Sequence, residues 1–241
     1  MTQTQKSDNS PASGNLPCSL YLFSFQKHRY WAFKQMRLAL KPLRQCKELR
    51  FFKLLGCGGG NGFSVFPDFS TYALFCVWSK DTLPSDFEQN SHVLKSYLHR
   101  CAEVRRFDLH PVKGKGSWGG DKPFELQPEL EGNYPLAVLT RASIRWYKLP
   151  EFWFSVPGVS AVADGFPGSE YSVGIGEWPL IEQATFSIWK DSESIDHFAY
   201  RHLAHSRVVK KTRERNWYSE ELFYRFQLLG REVVSGDGGE G

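Results

Sequence analysis

His202 and His205 stand three residues apart at the head of "HLAHSRVVKKTRERNWYSEELFYRF" (202–226). Counting ~100° per residue from Ile195, the residues Ile195, Phe198, Ala199 and Val209 share one stripe of a helix. His202 falls near about 340° and His205 near about 280°, on or beside that stripe, while His197 faces away near about 200°. An imidazole among Ile, Phe, Ala and Val needs a partner, because an unpaired buried polar group is costly. A backbone carbonyl, a water or a metal can serve. Two histidines at this spacing are a weak zinc signal, since zinc helices favour i,i+4 and no carboxylate stands suitably placed. A haem requires less: one neutral imidazole, a flat apolar cavity and cations for its propionates. Arg207, Arg213 and Arg215 lie close in sequence, although a solvated face explains them equally well.

A second candidate is "GCGGGNGF" (56–63). It satisfies neither GxxxxGK[ST] nor GxGxxG, and the following "FSVFPDF" is not helical, so a strand hairpin is the simpler reading. Cys57 within it is either a thiolate ligand or a small turn residue. In "PLIEQATFSIW" (179–189), alternation sends Gln183, Thr185 and Ser187 to one face and Glu182, Ala184, Phe186 and Ile188 to the other.

The chain around these residues has 241 positions, 41% hydrophobic and 15% aromatic, enough for one large or two small cores and for lining an apolar pocket. The net charge of +4 is too mild for a nucleic-acid domain, and the one dense basic run is interrupted by Glu214. Five cysteines without a CxxC pair argue against a disulfide framework and fit a reducing cytoplasm. No apolar run is long enough to span a membrane, and no amphipathic anchor stands out, which leaves peripheral contact with the inner membrane as the open membrane role.

"ALFCVWSKDTLPSDF" (73–87) and "ATFSIWKDSESIDHF" (184–198) align without a gap at an offset of 111 residues. Each reads as a strand, a polar break and a helix. With "CSLYLFSF" and "LAVLTRASI" as opening strands, each half reads β-α-β-β-α with a further strand near 103–112. The expected fold is α+β: two ferredoxin-like repeats forming a double sheet of the dimeric α/β-barrel type. The divisions are a disordered tail over 1–15, a first repeat over 16–112, a Gly/Pro-rich linker over 113–133, a second repeat with a C-terminal helix over 134–230, and a flexible tail over 231–241. In "NWYSEELFYRF" (216–226), Glu220, Glu221 and Arg225 read as charges on the surface of that helix, and Trp217, Leu222, Phe223 and Phe226 as core.

Five blocks in order, "RYWAFKQMRLA" (29–39), "FFKLLGCGGGNGF" (51–63), "LTRASIRW" (139–146), "GIGEWPLIEQATFSIW" (174–189) and "NWYSEELFYRF" (216–226), resemble the spheroidene monooxygenase family across most of the chain. The resemblance implies a haem-containing monooxygenase that uses O2 and external electrons, typically from a reduced ferredoxin, to oxygenate an acyclic carotenoid near its end group. It places the family's H-x-x-x-[IV] histidine on His205 as the iron ligand, with His202 in reserve. Arg213 matches a family position and is a candidate for propionate pairing or for the surface. A histidine-ligated haem needs polar groups on its open face or a carboxylate behind its imidazole, for which Arg141, Gln183 and Glu182 are the candidates. The glycine loop departs from the family pattern at Cys57, Gly59 and Asn61. Two alternatives stay open: a haem enzyme of other chemistry, dehydratase-like or peroxidase-like, and a non-enzymatic module that binds haem or an apolar ligand. The substrate, the electron donor and the oligomeric state are not fixed by sequence.

Overall fold

The computed structural model describes residues 17–59, 67–80, 82–155, 166–178, 180–198, 212 and 214–239. Eight antiparallel strands close into a barrel in the order β1-β3-β2-β6-β7-β5-β8-β4. The first four are β1 (Cys18–Ser24), β2 (Leu49–Gly58), β3 (Pro67–Trp78) and β4 (Glu103–Gly116). The second four are β5 (Leu136–Ile144), β6 (Ser169–Gly176), β7 (Glu182–Trp189) and β8 (Tyr218–Ser235). Helices α1 (Arg29–Leu38) and α2 (Leu40–Arg44) follow β1, and α3 (Pro84–Asn90) and α4 (His92–Leu98) follow β3. α5 (Leu149–Ser155) follows β5 and α6 (Ser192–Asp196) follows β7. Each run of four strands has the same internal order, β4-β1-β3-β2 and β8-β5-β7-β6, and the eight strands of one chain complete the closure.

Strand alternation builds two layers of core. From β1, Cys18, Leu20 and Leu22 point into the barrel, joined by Ala73, Phe75 and Val77 of β3, Ala137 and Leu139 of β5, and Ala184, Phe186 and Ile188 of β7. The alternate residues Tyr21, Phe23, Tyr72, Leu74, Cys76 and Trp78 face outward and are covered by α1 to α4. Both faces of β1 and β3 are therefore buried, which is why they read as nearly continuous apolar runs. Around the second half, Val138 and Trp189 face outward against Ile195 of α6. α4 starts at Ser91, whose hydroxyl accepts from the Leu94 amide at 3.2 Å, and α6 starts at Asp191, whose carboxylate accepts from the Ser194 amide at 2.8 Å.

The aligned segments occupy equivalent places. Trp78 closes β3 and packs on Phe87 of α3 at 5.4 Å, while Trp189 closes β7 and packs on Phe198 at 5.2 Å. Each indole also donates to a serine hydroxyl: Trp78 to Ser19 at 3.1 Å, Trp189 to Ser187 at 2.8 Å.

Three expectations need correction. The residues after Trp217 form β8, an 18-residue strand paired with β4 and β5, not a helix. Residues 220–228 alternate between barrel interior and exterior, and that period of two outweighs the i,i+4 charge pattern. β8 also runs through Ser235, so residues 231–235 are paired strand rather than tail. The stretch between the halves caps the barrel: Trp118 and Phe124 are buried in its core, against Phe75 at 5.8 and 5.4 Å. Its Gly/Pro composition concealed two large anchors.

Candidate functional site

Beyond the apolar interior, the next inward positions of several strands are charged. Lys53 lies two residues before Leu55, Arg141 two after Leu139, Glu177 two after Ile175, Glu182 two before Ala184 and Glu220 two before Leu222. The pleat brings all five to one mouth of the barrel. The buried Arg141 guanidinium donates to Glu220 at 2.6 Å and to Glu182 at 3.1 Å, and lies 3.6 Å from Glu177. Glu177 also accepts from Lys53 at 2.8 Å and from the Trp118 indole at 2.6 Å. The Trp118 ring lies between the two cations, 5.7 Å from the Arg141 guanidinium and 5.9 Å from the Lys53 ammonium. Burial acts to raise the Glu220 pKa, but donation from Ser117, from the Gly120 and Gly119 amides and from Arg141 outweighs it and brings the value down to about 2. Burial and the neighbouring Glu177 carboxylate push Glu182 upward against the pull of Arg141 and Lys53.

Two members of this ionic layer, Lys53 and Glu177, also line an open groove with a volume of about 1380 Å³. The groove crosses the join of β2 to β6, where among the described residues two pairs meet, Gly56 with Gly176 and Cys57 with Ile175. Phe33, Arg37, Leu40 and Leu43 of α1 and α2 line one bank; Trp178, Leu180, Gln183 and Trp153 line the other. Between them run Phe52, Leu54, Gly56, Gly174 and Gly176, with Lys53 and Glu177 at one end. Gly176 is needed for the close approach of backbones here: a Cβ on it would collide with the Glu182 carbonyl. Ligand pockets for compact molecules enclose roughly 300–1,000 Å³. This groove is larger and mostly apolar, which suits an extended molecule.

The candidate residues separate. Arg141 points into the barrel and is held by carboxylates, whereas Gln183, opposite Ala142 in the neighbouring strand, points outward into the groove lining. The sheet keeps the two apart. Glu182 joins Arg141. Glu220, read from sequence as a helix-surface charge, is the principal partner of Arg141, and Arg225 pairs with Asp196 at 2.6 Å rather than with Glu221. Lys53, Glu177 and Trp118 were missed altogether; for Lys53 and Glu177 the signal was the inward parity of β2 and β6, whose neighbouring inward residues are apolar, while Trp118 lies in the stretch between the halves and had no such signal. Cys57 is on β2 with its side chain in the barrel core, and burial, with Asp68 nearby, pushes its thiol up to about 12. That removes the thiolate reading, because the thiolate is the form that ligates. His202, His205, Arg207 and Arg213 lie outside the described residues, as does the loop 60–66. Among the described residues, no group of three or more His, Cys, Asp or Glu converges as a metal cage.

No protein-family model matches the chain. Among curated proteins, spheroidene monooxygenase of Rhodobacter capsulatus is 35% identical over 216 residues, covering 89% of this chain and 90% of that protein. The enzyme of the same name from Rubrivivax gelatinosus is 31% identical over 207 residues, covering 86% and 79%. Among solved structures, two of aldoxime dehydratase, one of them in complex with butyraldoxime, have a TM-score of 0.53. Their identities are 10% and 12%, with coverage of 96% and 93% of this chain and 89% and 84% of theirs. That likeness extends to the α+β barrel fold alone. Sequence identity over nearly the full length of both chains is the stronger finding, and by it this chain belongs to the spheroidene monooxygenase family, a family of oxidoreductases.

Proposed function

We propose that this chain oxygenates an acyclic carotenoid, or a similar long apolar molecule, lying in the groove over the β2–β6 seam. The observation that carries the reading is that groove: larger than a compact-ligand pocket, mostly apolar, and lined at the seam by Gly56, Gly174 and Gly176. That relatives at 31–35% identity are spheroidene monooxygenases supports a carotenoid substrate.

The cofactor in this reading is haem, with iron held by His205, His202 in reserve, and Arg213 pairing a propionate. The fit is supported by the outer face of β6 and β7 next to the groove. Outward positions there are small or polar (Ser172, Gly174, Thr185, Ser187), leaving a flat floor. Among the described residues the buried Ser172 hydroxyl has no hydrogen-bond partner, and a buried polar atom calls for one, from the rest of the chain or from a further group. Phe198, four residues before His202 in sequence, packs on Trp189 at the end of β7. When bound, the haem supplies activation of O2 with electrons from a reduced ferredoxin.

The remaining roles fall to the chain's own groups. The groove's apolar banks exclude water and align the substrate along the seam. The Gln183 amide offers one donor pair and one acceptor to a polar atom at the substrate's reacting end. Arg141 is a positioning residue, fixing Glu177 and Glu182 and with them the mouth of the groove. The two four-stranded halves, each β-α-β-β-α-β in order, are in this reading ferredoxin-like repeats of one ancestral unit.

Absorption spectroscopy tests the cofactor. Purified protein supplied with haem should show a Soret band, and His205→Ala should lose it while retaining its far-ultraviolet circular dichroism. Absence of the band from the parent chain overturns the haem reading; full occupancy in His205→Ala overturns that ligand.

A further inference from the structure

We infer that the outward face of α1 and α2 docks on an anionic lipid bilayer and presents the groove to it. Between residues 26 and 47 the chain carries Lys27, Arg29, Lys34, Arg37, Lys41, Arg44 and Lys47 and no Asp or Glu. With Tyr30 at zero and ~100° per residue, Phe33, Lys34, Arg37, Leu38, Lys41 and Arg44 fall within an arc of about 140°. The opposite side, with Ala32, Ala39 and Leu43, is buried against the barrel.

A solvated helix face would carry the cations without the aromatics. Here Tyr30 is 73% exposed, Leu38 59% and Phe33 51%, and Phe69 of β3, also 51% exposed, meets Phe33 at 5.7 Å. Exposed aromatic and aliphatic side chains interspersed with Lys and Arg are the composition of a surface that rests at the headgroup level of a bilayer. The nearest acid on the adjoining strand, Asp68, is occupied by the Ser70 amide and hydroxyl at 2.8 and 2.5 Å.

The face is continuous with the groove, because Phe33, Arg37, Leu38, Arg44 and Phe69 belong to both. Docking therefore turns one apolar bank toward the lipid, the phase in which a long apolar molecule dissolves. The inference rests on the carotenoid reading only for what enters the groove; the lipid contact follows from charge and exposure.

Co-sedimentation of the full chain with vesicles tests it without substrate or turnover, so its failure leaves the oxygenase reading standing and the reverse. Binding is expected to equimolar phosphatidylcholine and phosphatidylglycerol, and not to phosphatidylcholine alone, weakening as salt is raised. Each basic side chain near such a surface contributes roughly fivefold in affinity. Lys41→Gln with Lys47→Gln should then weaken binding by about 25-fold. Tyr30→Ser with Phe69→Ser should weaken it at low and high salt alike. The exposed pair Lys113→Gln with Lys115→Gln on β4 should leave binding unchanged. Equal binding to both vesicle types, or equal loss from the two lysine pairs, overturns the inference. So does failure to bind vesicles while a reduced ferredoxin binds in a Lys41- and Lys47-dependent way, which would give the face to a protein donor.

Discussion

At the scale of single residues, Arg141 sits at the base of the barrel's charged mouth, and Glu220 is its tightest partner. A buried ion pair is not by itself evidence of net stabilisation, but removal of one member leaves the others uncompensated. Glu220 accepts from Ser117, from two backbone amides and from Arg141, which hold its pKa at about 2 against an ordinary value of 4.5. The folded value lies below the unfolded one, so the stabilisation is fully present above pH 4.5 and disappears as pH falls toward 2. Urea unfolding of the parent and of Glu220→Gln as a function of pH checks this. The variant should be less stable at neutral pH by about 1.5–3 kcal/mol, the worth of hydrogen bonds to a charged group. The gap should narrow below pH 4.5; a gap independent of pH contradicts the assigned ionisation. The sequence concealed this carboxylate because Glu220, Glu221 and Arg225 have the spacing of a helix surface, while the inward apolar residues Leu222, Tyr224 and Phe226 already marked a strand.

At the scale of elements, the join of β2 to β6 depends on glycines with unequal tolerance. A Cβ on Gly56 meets only the Gly176 carbonyl oxygen at 3.9 Å, an ordinary contact, whereas a Cβ on Gly176 collides with the Glu182 carbonyl. Thermal unfolding should therefore find Gly56→Ala close to the parent and Gly176→Ala destabilised by roughly 1–3 kcal/mol. Equal effects at the two positions would show that the seam does not depend on the close approach at Gly176. The strands β1, β3, β4, β5 and β7 and the helices α3 and α6 were legible from alternation and from the polar breaks between strand and helix. β8 was misread, because charged residues at helical spacing obscured an alternating run whose inward side contains both Glu220 and aromatics. The face of α1 and α2 was illegible for another reason: its apolar residues surround the helix, and only packing distinguishes buried Ala32 and Leu43 from exposed Tyr30, Phe33 and Leu38.

At the scale of the molecule, one chain supplies all eight strands of a closed barrel. The repeated Trp–Phe contact, at the same offset of 111 residues in both halves, was visible as sequence likeness before it was visible as packing. The groove was not visible, because it forms where two halves distant in sequence meet at β2 and β6. The two halves nonetheless differ: the first carries the cationic, aromatic face and the second carries Gln183 and Trp178. The central claim is that a long apolar molecule in this groove receives an atom of O2. The direct measurement is mass spectrometry of carotenoid products after turnover with labelled dioxygen, haem, reduced ferredoxin and an acyclic carotenoid. The account predicts label in the product from the parent chain and none from His205→Ala or from a groove filled by Gly174→Trp. Undiminished labelled product from both variants, or oxygenated product from the parent chain without label, would contradict it.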